Sequence, residues 1–506
     1  SSAASDVYKR QVAMLIAISI AAFALTGCSG KANDETTTSP AVIEKEAVIP
    51  EDGTTFKLSY TQSDSLDPLK CTTLNNQVLS QLVFEPLFKL DENFKASLNI
   101  ASSYEYTGSE TLKVGITLGI KYSNGDSLTA SDVVSSFNAA KESPFWGNSL
   151  AGIKSCSKTS DSEITFYLAY PNSYAHNLLV FPIESSKTQD GYPVGSGRYY
   201  FASENGETVL KANSTSEIAP HLTAIHLENI AAQDSVDNAV NIGNISFAFR
   251  DLSVNTSQKI TANKKLLNMN NLVYLGVNNK SGVTANADVR KAISLALSRN
   301  TLVKSTYGGF AQAATGVFNP QFELSQTKLF DEDADTDAAT QALAKSGVGS
   351  PSLSILVNSS NSERLSCAKL IKQELEAVGF YVSLYEEQDN ERYRQLVESE
   401  SFNLYIGETK LPPDMSLTSF FDGGGSTHFG IDTESGKSAA AYASYMSGDD
   451  QLGTFLLAFS DEMPYIPLLY RKGMVCFTKA MNGDVQSSYY DCFANIENWY
   501  FKSENQ

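Results

Sequence analysis

Residues 353–406 read LSILVNSSNSERLSCAKLIKQELEAVGFYVSLYEEQDNERYRQLVESESFNLYI. Short runs rich in apolar, β-branched and aromatic residues alternate here with longer runs whose apolar residues recur at helical spacing. The predicted strands are 353–357, 381–385 and 402–406, and the predicted helices are 363–378 and 391–399. Strands that are joined through helices are typical of a parallel sheet, so the stretch predicts an α/β fold.

The same alternation of strands and helices extends to both sides of this stretch. Further predicted elements are a strand over 56–60, a helix that Thr129 caps, a short strand over 272–277, a helix over 288–302 and a late strand over 465–470. In the helix over 288–302 apolar residues recur every three to four positions, which places Arg290 and Arg299 on its polar side.

The composition excludes several classes of protein. The chain has 506 residues with 57 acidic and 38 basic side chains, a net charge of −19. This balance argues against a nucleic-acid-binding protein, which needs a surplus of Lys and Arg, and makes a cationic ligand slightly more plausible. The four histidines do not form an HExxH motif, and neither CxxC nor a GxSxG elbow occurs. We therefore expect no metal, no cofactor and no enzymatic activity.

The N-terminal segment has the features of an export signal. Residues 11–30 carry no charge and contain an apolar run of about 15 residues, which suits a signal peptide better than a membrane-spanning helix. Residues 25–28 read LTGC and resemble the bacterial lipobox, in which the cysteine becomes the lipidated N-terminus. We therefore interpret 1–27 as a non-native prefix plus signal peptide, Cys28 as lipidated and 28–55 as a flexible tether. An ordinary signal peptide or a short membrane anchor is the alternative.

Five cysteines remain after Cys28. They are Cys71, Cys156, Cys367, Cys476 and Cys492. The odd number leaves at least one free thiol. A Cys476–Cys492 or a Cys71–Cys156 disulfide would be compatible with an oxidising compartment, and buried free thiols are the alternative.

Six short motifs, in order along residues 56–500, carry a resemblance to a known family. They are SLDP at 65–68, FEPLF at 84–88, IKYSNGDSLTASDVV at 120–134, PVGSGRY at 193–199, DVRKAISLALSR at 288–299 and PYIPL at 464–468. Each motif alone is weak, but together they resemble the family 5 extracellular solute-binding proteins of ABC importers, the group that binds oligopeptides and dipeptides.

The resemblance implies a two-lobed, periplasmic-binding-protein-like α/β fold with an extra domain inserted in the first lobe. Mapped onto this sequence, lobe I comprises 56–75, 191–270 and 464–506, the extra domain comprises 76–190 and lobe II comprises 271–463. The chain would cross between the lobes near Asn270 and Pro464, which would act as the hinge. Closure around a ligand would create the form that a membrane permease reads.

The resemblance also places ligand contacts by position. Peptide-binding relatives hold the α-ammonium group of the peptide with an aspartate, and our alignment puts Pro412 at that position. Either Asp414 or Glu408 replaces the aspartate, or the amine anchor is lost. The expected ligand contacts are Ser65, Tyr274, Glu408, Thr409, Lys410 and Tyr470. Thr409 stands where relatives have an aromatic residue, and the two tyrosines stand where relatives line the cleft.

The functional expectation is a lipid-anchored, monomeric substrate-binding protein of an ABC importer, held outside the cytoplasm at a bacterial cell membrane. It would capture peptides or peptide-like solutes and deliver them to the permease. The alternatives are a receptor for another polar solute (an opine, a metal chelate or an oligosaccharide) and a signalling lipoprotein without a transport role.

Overall fold

The computed structural model describes residues 55–216, 219–252, 260–448 and 451–501. The predicted signal peptide, Cys28 and nearly all of the tether lie outside these residues, so export and lipidation stay predictions. Among the described residues, each helix is too short or too polar to cross a membrane.

The described chain consists of short strands and helices, which alternate most regularly between β18 and β20. The strands are β1 Phe56–Tyr60, β2 Glu85–Pro86, β3 Phe88–Leu90, β4 Ala96–Leu98, β5 Ala101–Gly108, β6 Thr111–Ile116, β7 Ile153–Ser160, β8 Glu163–Leu168, β9 Pro182–Ile183, β10 Thr188–Gln189, β11 Tyr192–Pro193, β12 Tyr199–Glu204, β13 Glu207–Ala212, β14 Ala224–Asn229, β15 Phe247–Asp251, β16 Asn263–Val277, β17 Ala311–Ala313, β18 Ser352–Asn358, β19 Tyr381–Glu387, β20 Leu404–Lys410, β21 Tyr465–Phe477, β22 Met481–Asn482 and β23 Tyr500–Phe501. The helices are Leu74–Ser80, Ala130–Glu142, Gln233–Asn241, Ala287–Ala296, Arg299–Thr306, Thr336–Ser346, Ser362–Ala377, Asn390–Glu398, Thr418–Phe421, Lys437–Met446 and Leu452–Glu462.

The largest sheet of the described chain contains eleven strands in the order β12-β13-β14-β1-β15-β21-β16-β20-β18-β19, with β17 paired to β21. The long antiparallel strands β16 and β21 lie in its middle. One end of β21 pairs with β15, from Phe477 to Gly473, and the C-terminal half of β16 pairs with β20. The register between β16 and β21 shifts between Asn268 and Leu272. This irregularity lies where the central pair passes from one half of the sheet to the other.

Each half of this sheet has its own hydrophobic core. In the half with β18 and β20, Val273, Ile355 and Ile406 pack under the helices Ala287–Ala296 and Ser362–Ala377. In the half with β1 and β15, a second core combines aliphatic residues with many aromatic ones. Its members include Phe56, Phe247, Phe493 and Trp499. A separate four-stranded sheet, β5-β6-β8-β7, packs with the helix Ala130–Glu142 around a core of its own.

The α/β fold predicted from residues 353–406 is confirmed. All three strands and both helices form within a few residues of their predicted bounds, and β18 pairs in parallel with both β19 and β20. Thr129 and Asp132 form a capping box at the start of Ala130–Glu142, as the N-cap prediction requires. The limits of the lobes and of the extra domain stay predictions.

The prediction of a single helix over 288–302 is wrong. Leu297 is extended and Ser298 caps a new helix, since its hydroxyl accepts a hydrogen bond from the Thr301 amide. Both arginines of this stretch are buried, contrary to the prediction of a polar face. Arg290 Nε donates to the Glu462 carbonyl at 2.7 Å, and Arg299 Nε donates to the Pro467 carbonyl at 2.9 Å. Each guanidinium group thus satisfies backbone carbonyls inside the core.

Candidate functional site

The candidate site is built around the C-terminal end of β20. This strand is buried from Leu404 to Gly407 and then carries three polar residues in a row, Glu408, Thr409 and Lys410. Because side chains alternate along a strand, Glu408 and Lys410 lie on one face and Thr409 on the other.

Glu408 is held by two arginines. Its Oε2 lies 2.9 Å from Arg364 Nη2 and 3.9 Å from Arg471 Nη1, and its Oε1 accepts a hydrogen bond from Asn271 Nδ2 at 3.4 Å. The Glu408 side chain is 6% exposed and that of Arg471 is fully buried. The carboxylate is therefore already neutralised by the protein.

Asp414 is buried in a contact with a different part of the chain. Its carboxylate accepts hydrogen bonds from Asn172 Nδ2 at 2.6 Å and from the Ser416 amide at 3.0 Å. Burial raises the pKa of Asp414 to about 6. Asn177 Nδ2 donates to the Pro413 carbonyl nearby, at 3.3 Å. The carboxylate thus fastens the segment after β20 to the loop around residues 172–177.

Lys410 projects towards aromatic rings from distant segments. Its ammonium group donates a hydrogen bond to Tyr489 Oη and lies 4.1 Å from the centre of the Tyr489 ring and 5.3 Å from that of Phe145. The side chain keeps a solvent-exposed fraction although protein atoms surround it on most sides. This enclosure lowers the pKa of Lys410 to about 8, against the opposing effect of the Asp251 carboxylate.

The two rings beside Lys410 also line a cavity of about 60 Å³. Its other walls are mainly apolar. They include Leu74, Val78, Phe84, Trp146, Val180, Pro182, Phe249 and Tyr490. Three charged residues of the lining, Glu85, Lys89 and Asp491, form a closed network in which Lys89 Nζ lies 2.9 Å from Glu85 and 3.6 Å from Asp491. Apolar walls with a few charged groups are the usual lining of a small-ligand site. Such sites enclose about 300 Å³ or more, so a ligand of more than a few atoms requires the walls of this cavity to separate.

Three of the predicted ligand contacts lie elsewhere. Tyr274 and Tyr470 are buried in a further hydrophobic core, which also contains Leu356 of β18 and Tyr405 of β20. Tyr274 Oη lies 3.1 Å from Tyr405 Oη, and Tyr470 Oη donates to the Val317 carbonyl at 3.0 Å. The Ser65 hydroxyl accepts a hydrogen bond from the Asp67 amide at 3.1 Å, within the turn after β1. Of the other three predicted contacts, Lys410 reaches two rings of the cavity, Tyr489 and Phe145, whereas Glu408 and Thr409 are not among its lining residues.

The aromatic lining was missed by sequence reasoning. Phe145 and Trp146 are neighbours in one loop, and Tyr489 and Tyr490 are neighbours in another. Two consecutive aromatic residues outside regular elements were the signal that could have identified each pair, because such rings are seldom left in a loop without a packing or binding role.

Cysteines and metal ligands add no second site. The five cysteines from Cys71 onward are all free, and Cys156 is the least buried of them. In the described ranges, no group of three or more His, Cys, Asp and Glu side chains is arranged to hold a metal ion.

Comparison with known proteins agrees with the resemblance seen in the motifs. The family model of the bacterial extracellular solute-binding proteins, family 5 Middle, matches residues 95–428. The oligopeptide-binding protein AppA of Bacillus subtilis (strain 168) is 24% identical over 426 residues, which cover 74% of this chain and 76% of that protein.

Solved structures of the family share the fold. A putative peptide-binding protein AppA from Clostridium difficile superposes with a TM-score of 0.69 at 19% identity, over 88% of this chain and 100% of that one. NikA from Brucella suis in complex with Fe(III)-EDTA superposes with a TM-score of 0.67 at 17% identity, again over 88% and 100%. The chain belongs to the family 5 bacterial extracellular solute-binding proteins, so it is an extracytoplasmic, two-lobed binding protein and not an enzyme.

Proposed function

We propose that this chain is the substrate-binding component of an ABC importer and that it captures peptides or peptide-like solutes. The observation that carries the proposal is the aromatic lining of the cavity, of which two rings, Phe145 and Tyr489, flank the Lys410 ammonium group. Aromatic side chains offer large apolar faces that accept varied ligand side chains, which suits sequence-tolerant peptide binding. The name of the B. subtilis relative, an oligopeptide-binding protein, supports the same ligand class.

Ligand capture requires only conformational change and non-covalent contacts. Two kinds of connection join the parts of the molecule that would move: the central strands β16 and β21, and the polar contacts of residues 172–177 with Pro413 and Asp414. Bending near the register shift at Asn268–Leu272 would open the site while the cores on either side stay intact. The closed form would then be presented to the permease.

We further propose that Cys28 carries the lipid and that residues 28–55 tether the binding lobes to the membrane. The lobes and the extra domain would have the limits predicted from the sequence. Incorporation of labelled fatty acid into the protein in its native host, lost in the Cys28→Ala variant, is the expected result. Incorporation that survives this change would contradict the anchor.

The ligand class is tested by native mass spectrometry of the chain from residue 29 onward, purified without denaturation, followed by calorimetry with the ligand found. We expect co-purified peptides. A bound chelate, opine or oligosaccharide and no peptide would contradict the proposal.

A matched pair of tyrosine variants locates the bound peptide. Tyr489→Ala should weaken binding by about 1–3 kcal/mol, because the ring is a wall of the cavity. Tyr381→Ala should leave the affinity unchanged, since Tyr381 is 67% exposed at the start of β19. Equal affinities in both variants would place the ligand elsewhere.

A further inference from the structure

The charged residues around the site differ in how far the protein neutralises them. Glu408 is paired with Arg364 and Arg471, and Lys89 with Glu85 and Asp491. Lys410, by contrast, makes no ion pair within the part of the chain that the structure describes. Its direct contacts are the hydroxyl and ring of Tyr489 and the ring of Phe145, and the Asp251 carboxylate lies close enough for its charge to favour the ammonium form.

Aromatic rings stabilise a cation without neutralising it. The faces of Tyr489 and Phe145 attract the ammonium group, but they accept at most one of its three N–H donors through the Tyr489 hydroxyl. The Lys410 side chain also keeps exposed surface. An incoming anion would find an enclosed cation with free donors, where a charge-assisted hydrogen bond is strong.

The carboxylates that would hold a ligand's ammonium group are not available in the same way. The Glu408 carboxylate is shared by two guanidinium groups, one of them fully buried. The Asp414 carboxylate accepts hydrogen bonds from Asn172 and from the Ser416 amide. Binding an amine at either group would require breaking contacts that hold the protein together.

We infer that the site selects its ligand by a carboxylate, which binds the Lys410 ammonium group while an apolar side chain of the ligand fills the adjoining cavity. This inference rests on the proposed function and narrows its ligand class to peptides that are recognised by an acidic end or side chain. The chain as a whole is strongly acidic, so the cationic position is a local property of the site.

The test varies the ends of the ligand and one residue of the protein. Randomised tri- to hexapeptides without Asp or Glu are prepared as free acids, C-terminal amides and N-acetylated acids, and a further amidated set carries one Glu. Native mass spectrometry and competition calorimetry compare their binding to the wild type, to Lys410→Met and to Lys410→Arg. Lys304→Met, an exposed lysine on the helix Arg299–Thr306, is the matched control.

We expect the free acids to bind the wild type and Lys304→Met at least about tenfold more tightly than the amides. Lys410→Met should abolish this preference and Lys410→Arg should keep it, while N-acetylation should have much less effect.

Recovery of affinity in the amidated Glu set would assign the carboxylate to a side chain and not to the C-terminus. Equal binding of acids and amides to the wild type would overturn the inference, as would an equal loss of both in Lys410→Met, which would make Lys410 a contact between parts of the protein only.

Other outcomes separate the inference from the proposed function. Peptides that bind but are lost on N-acetylation would overturn the carboxylate inference and leave the peptide receptor standing. If no peptide binds, 3-phenylpropanoate, 3-phenylpropanamide and phenethylamine compare an acid, a neutral amide and a cation with one aromatic body. Preference for the acid, lost in Lys410→Met, would then support the inference and contradict the peptide proposal, and no preference would overturn both.

Discussion

Glu408 and Asp414 are carboxylates six positions apart, yet the protein treats them in opposite ways. Glu408 lies beside two guanidinium groups. Asp414 has only neutral hydrogen-bond donors around it, and burial raises its pKa to about 6. Lys410, between them in sequence, faces aromatic rings. The comparison teaches that the role of a charged residue at this strand end is set by partners from distant segments.

The largest effect on stability is expected when Glu408 loses its charge. Glu408→Gln would leave Arg364 and the fully buried Arg471 without a counter-charge, which should lower the free energy of unfolding by about 3–5 kcal/mol. Urea denaturation measures the change.

An exposed pair provides the control for Glu408. Glu391 lies 2.7 Å from Arg394 on the helix Asn390–Glu398, and both side chains are more than half exposed. Glu391→Gln should leave the free energy of unfolding nearly unchanged, because exposed ion pairs contribute little to stability. If Glu408→Gln lowers the free energy of unfolding no more than Glu391→Gln does, burial does not make the stability of the protein depend more strongly on the Glu408 charge.

The residue before Glu408 tests the opposite, apolar face of β20. A Cβ atom added to Gly407 would lie 2.3 Å from the ring of the buried Tyr274. Gly407→Ala should therefore destabilise the protein by about 2–3 kcal/mol through overpacking. Gly453→Ala is the matched control, since nothing lies within 4 Å of its added Cβ in the helix Leu452–Glu462, and it should be neutral or slightly stabilising. Similar stabilities of the two variants would mean that Tyr274 moves freely.

Asp414 should make stability fall as the pH rises. Because the pKa of this carboxyl is raised to about 6 in the folded protein, the folded state holds more protons than the unfolded state between about pH 4 and about pH 6, and the stability that protonation provides is lost across this interval. Asp414→Asn should remove this loss. Removing the cost of ionising this buried carboxyl group should raise the free energy of unfolding at pH 7 by about 3 kcal/mol. The amide cannot accept one of the two hydrogen bonds, which should lower it by about 1 kcal/mol. The net gain in the free energy of unfolding at pH 7 is therefore about 2 kcal/mol.

Chemical denaturation at pH 4 and pH 7 measures this gain. The Asp161→Asn variant is the control, because its carboxylate is 94% exposed next to Lys158 and its pKa is lowered. An Asp414→Asn variant that is less stable than the wild type at pH 7 by the same amount as at pH 4 would contradict the prediction.

Much of the fold could be predicted from the apolar pattern. The stretch 353–406 gave correct strands and helices because burial there follows a regular spacing. The pattern failed at Arg290 and Arg299, which are buried because their donors reach carbonyls of Glu462 and Pro467. A sequence does not display such long-range partners.

The site was less predictable than the fold. Position along β20 identified Glu408 and Lys410 as neighbours, but only the distant arginines and aromatic rings distinguish their roles. Tyr274 and Tyr470 were expected at the cleft because relatives have tyrosines there, and both are buried in the core. A tyrosine suits a core or a cleft equally well, so its residue type does not decide between them.

The smallest expected effect concerns the pH dependence of binding at Lys410. The pKa of its ammonium group is lowered to about 8, and the group must be protonated to hold a carboxylate. Two groups face this ammonium group: Asp251, whose charge favours the ammonium form, and Tyr489, whose own pKa is raised by burial. The charged residues Glu85, Lys89 and Asp491 lie further away, in the lining of the cavity. Affinity for free-acid peptides should fall by up to about tenfold between pH 7 and pH 9, since the protonated fraction falls by this factor one unit above the pKa. Calorimetry at both values should show no such fall for C-terminal amides or in Lys410→Met, and an equal fall in all of them would assign the dependence to another group.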